Sequence, residues 1–363
     1  MPRRRKRPPR GRVHAKTITP GPFSALWATV TEDVDARLGG FLDAKLDAAR
    51  ALGPETVEMV GALRDLALRG GKRLRAALLV AGYRAATSSD DLEPALEAGV
   101  AVELLQCYFL IHDDWMDKDD VRRGGPAVHV RLAERFGSRH LGASSAILCG
   151  DLAVALAIEA LARADLPDRH AASLLACFGE MQEDAVLGQQ LDVLSRSSDP
   201  ERVYALKTSS YTVKGPLRLG AILGGGGARL LTALDRFALP AGIAFQLRDD
   251  LIGAFGKPAE TGKPAGRDLV SGKRTALVVR AFERASRADR KLLERVFGNP
   301  RASAGDVNTA LSVLERSGAR DAVERRIDAL VKEALAALAA TPATREGRAL
   351  LDGALRALTA RRA

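Results

Sequence analysis

The stretch HDDWMD, residues 112–117, places three aspartates where a long apolar segment ends. Asp113 and Asp117 are four residues apart. On a helix their side chains stack on one face about 5–6 Å apart, with Asp114 turned roughly 100° away. Like charges at that spacing repel, and on so apolar a helix the penalty grows, so a divalent cation is the natural remedy. The helix dipole favours cations at a C-terminus, which makes a purely solvated acidic end a poor explanation. A second apolar run, FALPAGIAFQL, leads in the same way to Asp249 and Asp250. Oxygen-only donors with room for water suit Mg²⁺.

Basic residues flank both acid clusters. GGKRLR supplies Lys72, Arg73 and Arg75 at a glycine turn entering a helix, where free backbone N–H groups also favour an anion. VRRGGPAVH follows the first cluster with Arg122 and Arg123. Further on stand Lys207 in LKTSSYT, Lys263 in TGKPAG and Lys273 in SGKRT. Taken singly each is a surface charge. Several in glycine-bounded turns, beside carboxylates able to hold a metal, describe a polyphosphate site.

The elements that must carry these groups read as helices throughout. Apolar residues recur at helical spacing in nearly every segment, and aromatics are only 4% of the chain. The expectation is an all-α protein. A helix from Leu92 to about Asp117 is apolar around most of its circumference and belongs inside a bundle. Polar turns near 122–126, 137–140, 165–169 and 196–200, with GGGG at 224–227, separate further helices, and residues 256–268 read as a loop. The expected organisation is a disordered basic tail, 1–20, and one domain, 21–363. No run of 18–20 uncharged apolar residues and no signal-peptide core is visible, so a soluble, cytoplasmic protein is expected. Cys107, Cys149 and Cys177 form no CxxC pair and sit in apolar stretches, which points to buried reduced thiols.

Of the formal net charge of +10, eight units lie in residues 1–16, leaving +2 on the remaining 347 residues. Nucleic-acid binding would rest on that tail alone. The tail's composition allows contact with anionic lipid or RNA; weak contact with a membrane surface is the partner role expected of it, and no nucleic-acid partner is expected.

GGKRLR, LIHDDWMD with RRGGPAVH, CGD (149–151), GQQLD (188–192), KTSSYT, QLRDDLIGAFG and TGKPAGRDLVSGKRT occur in an order that resembles the trans-isoprenyl diphosphate synthases, or polyprenyl synthetases, over most of residues 23–360. The resemblance implies an isoprenoid synthase fold, with antiparallel helices around a deep central cavity, as a homodimer. It implies condensation of isopentenyl diphosphate with an allylic diphosphate, with three Mg²⁺ ions. By position, Asp113, Asp117 and Asp249 would be the principal metal ligands, with Asp114 and Asp250 in support. Arg122, Lys207, Gln246 and Lys263 would hold the allylic diphosphate, with Lys207 and Lys263 counted among the catalytic residues, and Thr208 and Lys273 would be further substrate-binding residues. Lys72, Arg75, Gln106 and Arg123 would hold isopentenyl diphosphate; many relatives carry His where Gln106 stands.

Two positions depart from the family pattern. Gly253 replaces the last aspartate of the second motif, and Arg267 stands where an acidic residue is common. Tyr108 and Phe109 lie about one helical turn before Asp113, where bulky residues in this family form a floor under the growing product. Both being aromatic, a C15 to C20 product is expected. Two rivals share the pattern in part: a terpene cyclase of the same fold, whose second metal motif differs, and a non-catalytic subunit of a heteromeric synthase, which would have lost these aspartates and cations.

Overall fold

In a computed structural model of the chain, residues 21–164, 168–194, 199–256 and 265–360 are described. They form helices joined by short turns, as the helical spacing requires. The order is α1 (Pro22–Arg50), α2 (Pro54–Leu68), α3 (Leu74–Ala86), α4 (Glu93–Met116), strands β1 (Val121–Arg122) and β2 (Gly125–Pro126), α5 (Val128–Phe136), α6 (Arg139–Arg163), α7 (Asp168–Leu194) and α8 (Pro200–Tyr204). A π-helical segment, Ala205–Lys214, continues α8 into α9 (Gly215–Leu223). Then come α10 (Ala228–Phe255), α11 (Arg267–Ser271), α12 (Ala276–Arg284), α13 (Arg287–Val296), α14 (Ala304–Arg316), α15 (Ala319–Ala339) and α16 (Arg345–Thr359).

α4 is the central element and is buried on most sides, from Ala95 to Ile111. It packs chiefly on α6, while α3 lies against α9 and α10 against α15. Residues of α1–α4, α6, α7, α9 and the first part of α10 build one apolar cluster. The second part of α10, α12–α15 and Tyr204 build another. α10 therefore ties the halves together. Cys107, Cys149 and Cys177 are buried and unpaired, and burial pushes the Cys149 thiol up to about 12.

Among the described residues, three helices, α4, α6 and α10, are long and apolar enough by length and composition to cross a membrane, although no uncharged run stood out in the sequence. For α4 the reason is interior position, with 78% of its apolar window buried in the fold. For α6 the figure is 39%, and Leu141, Ile147, Leu148 and Ile158 face outward.

The polar turn at 122–126 is a small antiparallel hairpin, with Val121 opposite Pro126 and Arg122 opposite Gly125. Its two loop residues, Arg123 and Gly124, have φ of 51° and 72°. This is the left-handed pair that tight two-residue hairpins use, and it is unusual for arginine.

Candidate active site

Asp113 lies in the last full turn of α4. Burial pushes its carboxyl above the usual range, opposed by Lys207 and reinforced by Asp117 one turn on. Asp114, on the inner face and 1% exposed, accepts from Arg122 Nε at 2.7 Å. Arg122 also reaches Asp119 Oδ2 at 3.5 Å, and Asp119 pairs in turn with Arg267. So Arg267 closes a cation–anion chain that joins α11 to the loop after α4.

Across from Asp113 stands Lys207, 3.9 Å away and 2.7 Å from Asp192 Oδ2. Lys273 reaches the same Asp192 oxygen at 3.3 Å. Burial would raise Asp192, but the two lysines outweigh it and hold the carboxyl below its ordinary value. Burial likewise opposes the charge on Lys273, yet Asp192, Asp268, Asp250 and Asp117 raise it above the normal ammonium range. Gly188 makes the Lys207 contact possible, because a Cβ there would lie 2.3 Å from the Lys207 amide nitrogen. α7 can therefore lie directly on the π-helical segment, a rare form of helix that is frequent at functional sites.

The second acid pair is divided by the fold. Asp249 is exposed at the end of α10. Asp250 is buried, accepting from Tyr204 Oη at 2.5 Å and Gln246 Nε2 at 2.8 Å. Thr208 Oγ1 donates to Gln246 Oε1 at 2.8 Å, and Tyr204 Oη accepts from the Ala276 amide at 2.7 Å. A hydrogen-bonded chain thus runs from the π segment through α10 to the start of α12. Where the third aspartate of the motif is missing, a Cβ on Gly253 would lie 3.8 Å from Asp268 Oδ2. A carboxylate from α11 already stands beside that position.

Burial, with the charge of Asp268, lifts Asp250 to about 7 despite the hydrogen bonds from Tyr204 and Gln246. The native protein then keeps a proton that the unfolded chain releases near pH 4, so stability contributed by this group is greatest in acid and falls as pH rises through 7. Relative to the parent, Asp250→Asn should gain about 2–3 kcal/mol of stability on going from pH 5 to pH 8 in metal-free buffer. Thermal unfolding at the two pH values measures this, and a variant gaining nothing at the higher pH contradicts a protonated Asp250.

The other cations lie near aromatic side chains. Arg75 donates from Nη2 to Thr212 Oγ1 at 2.8 Å and stacks over the Tyr211 ring at 4.4 Å. Tyr211 meets Phe109 at 4.7 Å, Phe109 meets Tyr108 at 4.9 Å, and Tyr108 meets His112 at 4.8 Å. Gln106 is buried on α4, and Lys72 accepts from Trp27 Nε1 through its backbone carbonyl. Arg73, grouped with Lys72 and Arg75 in the sequence, is instead buried and ion-paired. Lys263 lies outside the described residues. Beside these groups lies a recess lined by Asp192, Tyr204, Lys273 and Thr275.

Among the described residues, no group of three His, Cys, Asp or Glu side chains converges closely enough to hold a metal by itself. The donor chemistry nonetheless suits a hard dication, because the Asp117 carboxylate raises the cost of ionising Asp113 and both side chains offer only oxygen. Spacing along the chain did not single out Asp192, Tyr204 or Glu103. A clue was present in each case: GQQLD among the ordered motifs, a tyrosine three residues before Lys207, and one acid inside the apolar run AVELLQ.

The family model for the polyprenyl synthetases matches residues 57–314. The chain belongs to that family. It is 33% identical to the geranylgeranyl diphosphate synthase of Methanosarcina mazei over 281 residues, covering 76% of this chain and 82% of the relative. Against the geranylfarnesyl diphosphate synthase of Aeropyrum pernix the identity is 32% over 292 residues, covering 78% and 87%. The fold superposes on geranylgeranyl pyrophosphate synthase of Corynebacterium glutamicum, solved with isoprenyl diphosphate and magnesium, with a TM-score of 0.86 and 36% identity over 92% of this chain and 99% of that one. This polyprenyl synthetase is a trans-prenyltransferase, with the all-α fold of its relatives.

Proposed function

We propose that this enzyme joins isopentenyl diphosphate to an allylic diphosphate of C5 to C15, head to tail, and releases an all-trans product of C15 or C20. The observation that carries this is the placement of two cationic sets about one aromatic wall. Lys207 and Lys273 share Asp192 near Asp113, while Arg75 stacks on Tyr211, which backs onto Phe109. Two diphosphates with apolar tails need such a division.

Asp113, Asp117 and Asp249 would hold Mg²⁺, three ions by analogy with the family, and bound metal supplies charge neutralisation to the departing diphosphate. Lys207, Lys273 and Arg122 hold the outer oxygens of that leaving group, and Thr208 and Gln246 orient it. Lys72, Arg75, Arg123 and Gln106 fix isopentenyl diphosphate so that its double bond faces the allylic carbon as the C–O bond breaks. Phe109, Tyr108 and Tyr211 keep water from the cation. The released diphosphate is the acceptor for the proton lost at the end, since none of these side chains is placed as a general base. The outward-facing apolar residues of α6 suit a second copy of the chain, which makes a homodimer the expected assembly.

Incubation with Mg²⁺, labelled isopentenyl diphosphate and each primer, followed by chain-length analysis, tests the reading. C15 or C20 is expected, and Phe109→Ala should lengthen the product by at least one five-carbon unit. An unchanged product in that variant removes Phe109 from the floor. Failure to extend any primer favours a non-catalytic subunit.

A further inference from the structure

Arg73 is 1% exposed and sits in the left-handed region, φ 44°. Its Nε donates to Asp35 at 2.6 Å, its Nη2 to the Ala67 carbonyl at 2.6 Å, and its Nη1 to Glu103 Oε2 at 3.1 Å. Arg123, also left-handed, donates from Nη1 to the Leu66 carbonyl at 3.1 Å. Two guanidiniums thus cap neighbouring carbonyls in the last turn of α2, where a helix leaves carbonyls unpaired and its dipole favours cations.

The two arginines meet across Gly71, where a Cβ would lie 3.1 Å from Arg123 Nη2 and 3.2 Å from Arg73 Nη1. Burial opposes the Arg123 charge most, Arg73 and Arg75 add to that opposition, and Cys107 and Glu103 counter it. Glu103 is 3% exposed, and its Oε1 has no hydrogen-bond partner among the described residues. Gln106 Oε1, one turn along α4, and Arg75 Nε are buried in the same condition. Buried polar atoms are seldom left so, and two of these, on Glu103 and Gln106, stand one turn apart on α4.

We propose that Glu103 is a positioning residue for the isopentenyl diphosphate end of the site. Its carboxylate holds Arg73 on the α2 terminus and offsets the Arg73–Arg123 repulsion, so the 70–73 turn presents Lys72 and Arg75 while the hairpin presents Arg123 to one anion. This rests on the reading that isopentenyl diphosphate binds those three cations. Without the Glu103 charge, Arg73 keeps Asp35 as its one anionic partner among the described residues, with a side chain 44% exposed, beside the neutral Ala67 carbonyl. The element that yields is the two-residue hairpin carrying Arg123, because α3 and α4 are locked in the core. The allylic end, around Lys207 and Asp192, makes none of these contacts.

The test is two-substrate kinetics on Glu103→Gln, Glu103→Asp and Asp35→Asn, with thermal melts to establish folding. For Glu103→Gln the Michaelis constant for isopentenyl diphosphate should rise about tenfold, with that for the allylic substrate and kcat nearly unchanged, and Glu103→Asp should recover part of the loss. Equal rises for both substrates, or no rise, overturn the proposal. If Glu103→Gln does not fold, Asp35→Asn decides: a smaller rise confined to isopentenyl diphosphate supports it, and none overturns it. Should the parent show no turnover, the functional reading fails and calorimetry of isopentenyl diphosphate binding in EDTA separates the two. About tenfold weaker binding by Glu103→Gln then upholds the positioning role, whereas equal binding, or no binding by the parent, overturns it.

Discussion

Asp113→Asn will lower kcat by about a thousandfold or more and leave the protein at least as stable as the parent. The two halves of that expectation have one cause. Asp113 is a costly anion: burial and the neighbouring Asp117 both push its carboxyl towards the neutral form. An asparagine of the same size removes that cost, and Lys207 keeps its 2.7 Å partner Asp192. What disappears is the negative charge at the end of α4 on which a dication depends. Steady-state kinetics with a melting curve measures both halves, and Asp120→Asn, an exposed acid of the loop that follows α4, serves as the control. Loss of activity that tracks loss of fold would make Asp113 a structural residue, and a kcat within tenfold of the parent would remove it from the chemistry.

The sequence located α4 and its terminal aspartates because a polar cluster closing an apolar helix is a local signal that tertiary packing does not rewrite. The same holds for α10 and its pair at 249 and 250. Local patterns cannot say which way neighbouring carboxylates turn. Asp249 stays exposed while Asp250 is drawn inward by Tyr204, 46 residues away. The basic residues show the limit more sharply. Lys72, Arg73 and Arg75 read as one set, yet Arg73 serves the interior because Asp35 and Glu103, 38 and 30 residues distant, converge on it. The π-helical register at 205–214 was also hidden, since an amphipathic stretch of ten residues looks alike in either helix. Gly253 looked like a missing carboxylate, and only the fold brings Asp268 beside it.

Lys207→Met should lower kcat by about a hundredfold to a thousandfold while leaving the Michaelis constant for isopentenyl diphosphate little changed. Two lysines share the one carboxylate of Asp192, so the group carries a spare positive charge beside Asp113. A leaving diphosphate gains negative charge as its C–O bond breaks, and a preorganised cation in a dry site stabilises that change more than it stabilises the bound substrate. In Lys207→Met, Lys273 and Asp192 neutralise each other and the spare charge is gone. That account makes an unusual demand of the double variant. Adding Asp192→Asn to Lys207→Met releases Lys273 from its 3.3 Å ion pair, so the pair should regain about tenfold in kcat although each change alone is harmful. If the losses multiply instead, Asp192 holds its lysines for geometry rather than for charge balance. Gly188→Ala offers the complementary probe, because its methyl group would push α7 off the Lys207 backbone and shift Asp192 with it, leaving the charges intact and only their spacing altered.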